Sequence, residues 1–430
     1  MIRIKHTNSN FEREPLIAPF GFKGGSVNEL WQVAVRLEEQ SGTASVGLGV
    51  QSVLWSDADV FTRYAQAAGN AMMYLMTEYA LQKARDISFD TPMDLLDELF
   101  PIVYAYGKSM TGNPNLRATF VLNALVAVDN AAWLLYGREK GIEIFDELIP
   151  AHVRPALSCR HKHLAAVPLV PYGIPLQEIH RMLDEGAFFL KIKIGSDPEL
   201  DGDRAKMLAW DKQRLSAIHE IAKDRYTSFT DDGRIPYYLD ANGRYDSRDR
   251  LLGLLDHADQ IGALDQIVLL EEPFSETCRI DVSNIPVRIA ADESAHSDQD
   301  AEARIEMGYG AIALKPIAKT MSMSFKIAKL AHEKGIPCFC ADLTVNPVLV
   351  DWNKNVASRL APLPGMRVGV LEENGHQNYR RWSEMKSYHP CNGASWLETT
   401  DGLFTLDDSF YQKSGGIFDR SNHYDLLVKS

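Results

Sequence analysis

Six charged side chains, each at the end of a short apolar run, could do chemistry together: Lys191, Lys193, Asp240, Glu271, Asp292 and Lys315. The stretch Phe188-Phe189-Leu190-Lys191-Ile192-Lys193-Ile194-Gly195 alternates strictly. Read as a strand, it places Lys191 and Lys193 on one face and Leu190, Ile192 and Ile194 on the other. A buried sheet normally carries valine or leucine at both faces, so two ammonium groups imply that something opposite requires positive charge. The opposing charge recurs downstream in Leu239-Asp240-Ala241-Asn242, Leu270-Glu271-Glu272-Pro273 and Ala291-Asp292-Glu293-Ser294, and a third lysine follows in Leu314-Lys315-Pro316. Three carboxylates from neighbouring strands make an all-oxygen site for Mg²⁺, which leaves positions for water or substrate oxygens. A lysine is a useful base only when its pKa is lowered, and burial beside a second cation does that, so Lys191 is expected to act on Lys193. The set suits removal of a proton α to a carboxylate: the metal holds the developing enediolate and a lysine takes the proton.

Positioning such a set requires consecutive strands ending at one rim. From about residue 165, short apolar runs alternate with amphipathic helical segments, the pattern of parallel βα units. Eight strands are expected: Val167 to Val170, Phe188 to Ile194, Tyr237 to Asp240, Ile267 to Glu271, Val287 to Asp292, Ala311 to Lys315, Ile336 to Cys340 and Arg367 to Leu371. Helices are expected at Leu176 to Glu185, Asp203 to Lys223, Ser247 to Ile261, Ala301 to Met307 and Ser322 to Lys334. The fold class is therefore α/β, a modified (β/α)₈ (TIM-like) barrel, whose active site lies at the C-terminal strand ends. A Rossmann sheet is disfavoured because no G-x-G-x-x-G follows any strand. Any one of the acids, alone, reads as a helix N-cap at a βα turn, and Lys191 alone could snorkel. Six on consecutive strand ends have no shared structural explanation. Glu272 and Glu293, each beside a candidate ligand, are expected to face away as supporting or capping groups.

Residues 1–155 read differently, as an α+β capping domain. Trp31 to Glu38 and Ala44 to Val50 are expected as antiparallel strands, followed by helices over Asp57 to Lys83, Pro92 to Tyr106 and Asn115 to Lys140. Pro19 to Gly25 and Gln51 to Ser56 read as loop tips able to reach over a neighbouring surface. The barrel is assigned to 156–386, with Asp224 to Pro236 as a polar outer loop. A C-terminal segment, 387–430, carries hairpin-like pieces at Asp401 to Phe404 and Gly415 to Phe418 and is expected to return to the cap.

Composition sets the outer bounds. The chain has 430 residues and a net charge of −13 with no Lys/Arg-rich tract, which argues against nucleic acid as a partner. No apolar h-region follows Met1 and no uninterrupted apolar run spans a bilayer, so a cytoplasmic protein without membrane contact is expected. Five cysteines are too few for a disulfide framework and lack paired zinc spacing; Cys338 and Cys340 read as core.

On Lys191-Ile192-Lys193, Asp240-Ala241-Asn242, Glu271-Glu272-Pro273, Asp292-Glu293-Ser294 and Lys315-Pro316, the chain resembles the enolase superfamily. The resemblance implies Mg²⁺ bound by Asp240, Glu271 and Asp292, with Lys193 and Lys315 as the acid/base pair and Lys191 beside them. K-x-K with a single lysine on strand six is similar to the muconate lactonizing subgroup. The mandelate racemase pattern, with histidine ending strand seven, is disfavoured by Cys340-Ala341-Asp342 there. The resemblance places substrate contacts on cap loops and on strands seven and eight, here Phe20, Phe22, Trp55, Asn242, Asp342, Glu373 and Asn374. Dipeptide epimerases resembling this chain carry D-x-D on strand eight, where this chain has adjacent Glu372 and Glu373, of which one can face the pocket. The expected partner is a small carboxylate, and the enzyme is expected to be a homo-oligomer. Three readings follow: a racemase or epimerase of an N-acyl amino acid or dipeptide; a lyase or cycloisomerase, including dehydration of a hydroxy or sugar acid; and a non-catalytic metal-binding protein.

Overall fold

The computed structural model describes residues 1–22 and 25–429. Lys23 and Gly24, and the side chain of Phe22, which was expected at the substrate pocket, lie outside the described residues.

The first sheet is antiparallel and four-stranded, in the order Ala44–Gln51, Gly25–Glu39, Ile2–Phe22, Ser88–Phe89. Its longest strand, Ile2–Phe22, is polar over much of its length and was not among the expected strands. It forms because Gly25–Glu39 supplies a partner along most of its length, from Ile4 opposite Glu39 to Phe22 opposite Gly25, with register breaks after Ile4 and between Pro15 and Phe20. Of the residues expected as a loop tip, Pro19 to Phe22 and Gly25 are instead strand, at the far end of this hairpin. Gln51 to Ser56 likewise contains a short helix, Val53–Ser56, rather than loop alone.

Three long helices pack on this sheet: Ala58–Ala84, Pro92–Thr111 and Ala118–Lys140. Asp57 caps the first by accepting from the amides of Asp59 and Val60, and Thr91 caps the second through a reciprocal box with Asp94. Ala118–Lys140 is by length and mean hydropathy apolar enough to cross a membrane, although Asn123, Asp129 and Asn130 interrupt its apolar run; 94% of that window is buried, which makes it the central core helix of this domain. Gly47 and Gly49 let the edge strand lie directly on this helix. A Cβ at Gly47 would sit 2.1 Å from the Ala131 nitrogen.

The second sheet curls into a ring. In order after the first strand come Leu190–Lys193, Tyr237–Asp240, Ile267–Glu271, Ile289–Ala291, Ala311–Leu314, Cys338–Cys340 and Gly369–Glu372, each parallel to the next. The first strand is split at Pro168, which has no amide proton to give a ladder. Its earlier part, His163–Val167, pairs with strand eight, and its later part, Leu169–Val170, pairs with strand two. The chain itself thus closes the ring. Helices Leu176–Asp184, Arg204–Ala222, Arg248–Gln260, Asp298–Glu306 and Met321–Glu333 cover the outside.

Side-chain parity sorts the ring into two cores. Leu190, Ile192 and Ile194 join the large outer cluster beneath the helices. Phe189, Tyr238, Leu269, Ala290 and Phe339 fill the interior. Tyr238 meets Phe339 edge to face at 5.4 Å, forming an apolar floor beneath the charged rim. Cys338 and Cys340 are buried in the outer core.

The C-terminal segment visits both domains. Leu403–Thr405 adds antiparallel to the barrel's first strand, so the piece at Asp401 to Phe404 belongs to the barrel edge. Further on, Ser414–Gly416 is a 3₁₀ turn, not a hairpin. The Asn8 side chain then donates to the Val428 carbonyl at 2.5 Å and that of Asn10 to Leu427, which ties the chain's end to the first strand.

Candidate active site

Lys191 and Lys193 follow Phe189 on the inward face of strand two, so parity alone sends both ammonium groups to the rim. Lys191 Nζ lies 3.0 Å from each of Asp240 Oδ2, Glu271 Oε2 and Glu372 Oε2. It also sits over the Tyr238 ring, 4.6 Å from its centre. Lys193 Nζ is 2.6 Å from Asp240 Oδ2 and 2.5 Å from Asn242 Oδ1. Across the ring, Lys315 Nζ contacts Asp292 Oδ2 at 2.5 Å and lies over the Trp55 indole at 4.8 Å. Strands two and six stand opposite one another in an eight-membered ring, so Lys193 and Lys315 enter one cavity from opposite walls.

Electrostatics divides these groups. Burial opposes ionisation of Asp240, but Lys191 and Lys193 outweigh it and hold the carboxyl down at about 2. Burial also opposes the charge on Lys315, yet Asp292 and Glu271 outweigh it and hold the ammonium above the usual lysine range. Lys191 pushes Lys315 the other way and loses to them. The neighbouring acids, and not the neighbouring cation, therefore set the charge of Lys315. Lys191 is itself raised, because three carboxylates share its charge and overcome its burial.

The metal fit follows from what is left over. Glu271, Asp292 and Glu293 each bring one carboxylate oxygen within 4.8 Å of the others. Glu271 Oε1 and Glu293 Oε2 are buried without a hydrogen-bond partner. Burial raises Glu271 to about 8, with Lys191 opposing and the Asp292 charge adding. Converging buried acids with free oxygens fit a hard divalent cation such as Mg²⁺.

Most of the residues expected at the site are brought together. Phe20, Trp55, Lys191, Lys193, Asp240, Asn242, Glu271, Asp292, Lys315, Asp342 and Asn374 all line the cavity. Asn242 bridges Lys193 and Glu293, donating to Glu293 Oε1 at 2.9 Å. Asn374 accepts from the Thr344 hydroxyl at 2.6 Å and gives its backbone amide to Asp342. Two expectations are corrected. Glu293 does not face away: strand five ends at Ala291, the chain turns, and two-residue alternation no longer applies. Glu373 is outside the cavity, paired with His376 Nδ1 at 2.5 Å, and Glu372 occupies the site instead. Parity carried that signal, since Val370 faces inward and Glu372 shares its face. Lys319, one helical turn after Lys315, was missed; its buried ammonium lies 3.2 Å from Asp292 Oδ1 and 3.1 Å from the Ala295 carbonyl.

Residues 176–365 match the family model described as enolase C-terminal domain-like. Over those residues the chain carries an enolase C-terminal domain-like domain. No curated protein matches it in sequence. Among solved structures it is similar to the dipeptide epimerase from Enterococcus faecalis V583, at 17% identity and a TM-score of 0.63, over 94% of this chain and 97% of that one. The N-succinyl Arg/Lys racemase from Bacillus cereus ATCC 14579 aligns at 17% identity and a TM-score of 0.61, over 88% of this chain and 89% of that one. The L-talarate dehydratase from Polaromonas sp. JS666, complexed with Mg and L-glucarate, aligns at 16% identity and a TM-score of 0.63, over 95% and 93%. At these identities the likeness describes the fold alone.

Proposed function

We propose that this chain is an enzyme of the enolase superfamily that removes a proton α to a carboxylate with Mg²⁺ bound, and that the net reaction is racemisation or epimerisation of an N-acyl amino acid or dipeptide. The observation that carries the reading is the opposition of Lys193 and Lys315 across one cavity. Lys193 Nζ takes the α-proton from one face of the substrate, and Lys315 Nζ gives a proton to the other. The carbon inverts and no electrons are lost or gained. Two opposed lysines are what that reaction needs. Glu271 and Asp292 would hold the metal, with Asp240 as the expected third ligand and Glu293 converging beside them. Bound there, Mg²⁺ supplies positive charge against the substrate carboxylate as the α-proton leaves. Phe20 and Trp55 from the cap exclude water, and Asp342 and Asn374 orient the distal part of the substrate.

A second reading, a lyase or cycloisomerase, is favoured by one observation: Asp292 and Glu271 hold Lys315 firmly charged. A lysine held so acts as an electrostatic stabiliser while Lys193 alone moves protons. The test is proton NMR in D₂O with Mg²⁺ over N-acyl amino acids, dipeptides and sugar acids. Inversion with α-proton exchange, lost in both Lys193→Ala and Lys315→Ala, supports the racemase or epimerase. Loss in Lys193→Ala with partial turnover in Lys315→Ala supports the second reading. No exchange and no Mg²⁺ uptake overturns both.

A further inference from the structure

The backbone that follows Lys193 is held by an unusually complete set of side chains. Gly195 N donates to both carboxylate oxygens of Asp211, at 2.9 and 2.8 Å, and Ser196 N donates to Asp211 Oδ1 at 3.4 Å. Arg244 Nε donates to the Gly195 carbonyl at 3.0 Å, and Tyr172 Oη donates to the Ile194 carbonyl at 3.0 Å. Tyr245 Oη completes the shell on Asp211 Oδ2 at 2.8 Å. Gly195 takes a φ of +82°, and a Cβ there would meet the Arg244 Cβ at 2.5 Å, so only glycine allows this close approach.

Asp211 lies on the inner face of helix Arg204–Ala222, 1% exposed, with no basic side chain bonded to it among the described residues. Burying a carboxylate in this way is costly, and burial raises its pKa to about 6. An apolar residue would pack the helix more cheaply but would leave the Gly195 and Ser196 amides without their partner. The carboxylate therefore serves the turn, and the turn begins one residue after Lys193.

We propose that Asp211 is a positioning residue for Lys193: by clamping the Gly195 and Ser196 amides it fixes the end of strand two, and with it the direction from which Lys193 reaches the substrate. The inference rests on the two-lysine reading above and names a residue on which one of the two proton transfers depends. Lys315, on the opposite wall, is held by Asp292, Trp55 and its own strand and is independent of this clamp.

That independence makes the role testable. With Lys193 displaced, the enantiomer whose α-proton faces Lys315 is still deprotonated. After Lys315 exchanges its proton with D₂O, it returns deuterium to the same face. Asp211→Asn is expected to slow inversion by about 10- to 100-fold, the scale of roughly a 1 Å misplacement. One enantiomer should then exchange at least about tenfold faster than it inverts, and the other should exchange as slowly as it inverts. Both rates come from the same folded fraction, so partial unfolding cancels in their ratio. Tyr245→Phe, which keeps the carboxylate and removes one donor, should show the same one-sidedness more weakly and serves if Asp211→Asn does not fold. Parallel loss of exchange and inversion for both enantiomers, with the ratio of wild type, would overturn the positioning role and leave the two-lysine reading intact. A wild type that exchanges neither enantiomer overturns that reading, and this inference with it.

Discussion

Replacing Lys191 with methionine should destabilise the metal-free protein more than any other single change at the rim. The ammonium touches three carboxylates at 3.0 Å, and each partner side chain is at most 4% exposed. At an effective dielectric of about 20, one such contact is worth roughly 5 kcal/mol of direct attraction. Desolvation offsets most of that while the cluster is intact. When the cation goes, its partners stay buried, and breaking a buried pair costs about 3–5 kcal/mol. Asp240 keeps Lys193, so the loss falls on Glu271 and Glu372, and we expect about 4 kcal/mol for Lys191→Met. In urea followed by tryptophan fluorescence with EDTA present, that is a midpoint fall of about 1–2 M for a slope of 2–3 kcal/mol/M. Mg²⁺ at about 100 times its dissociation constant should stabilise each protein that binds it by about 2.7 kcal/mol. A loss below about 1 kcal/mol in EDTA would refute the charge balance, and a wild type that Mg²⁺ does not stabilise would refute the metal assignment.

Further outcomes follow from other contacts. Gly47→Ala should cost about 3 kcal/mol, because the new methyl meets backbone atoms of the central cap helix, 2.1 Å from Ala131 N and 2.4 Å from Ala127 O; an unchanged melting temperature would contradict that packing. Asp129, bonded to Ser322 across the domain boundary, is raised by burial to about 6 in the folded state, above its unfolded value. Its contribution to stability therefore increases as pH falls from about 6 toward 4, by roughly 2–3 kcal/mol in all. Asp129→Asn should flatten that part of the pH dependence of the urea midpoint, and an identical slope in the variant would count against it. Glu373→Gln should leave KM within about twofold, since its carboxylate faces His376, whereas Glu372→Gln, which removes one of the three carboxylates that hold Lys191, should lower kcat by more than about tenfold. A tenfold rise in KM for Glu373→Gln would return that residue to the cavity.

The rim was legible in the sequence because its chemistry repeats with the strands. Lys191 and Lys193 differ by two residues, so parity placed them, and each acid closes a short apolar run. Parity failed where a strand had already ended, as at Glu293. Where it still held, at Glu372, it was not followed far enough from Val370. The strand Ile2–Phe22 was illegible for another reason: its residues carry little apolar alternation, and its structure comes from a partner hairpin arm that supplies the ladder. Trp55 was placed near the cavity, but its seat over Lys315 depends on the helix Val53–Ser56 and on the cap's docking, which no local pattern encodes. Asp211 carried no signal at all, since a lone aspartate inside an amphipathic helix differs from its neighbours only once the turn it clamps is known.

The tie between the two ends of the chain has a consequence for assembly. Asn8 and Asn10 in the first strand receive Val428 and Leu427 as partners, and these follow all eight barrel strands, 420 and 417 residues away. Closing so long a loop comes late, because its entropy must be met before the contact gives anything back. The first sheet therefore folds with one edge of its surface waiting, and the barrel must form before that edge is covered. During that interval the long polar arm, rather than an apolar strand, faces solvent. The low hydrophobicity that hid this strand from sequence reading is then a safeguard against aggregation while the nascent molecule is incomplete.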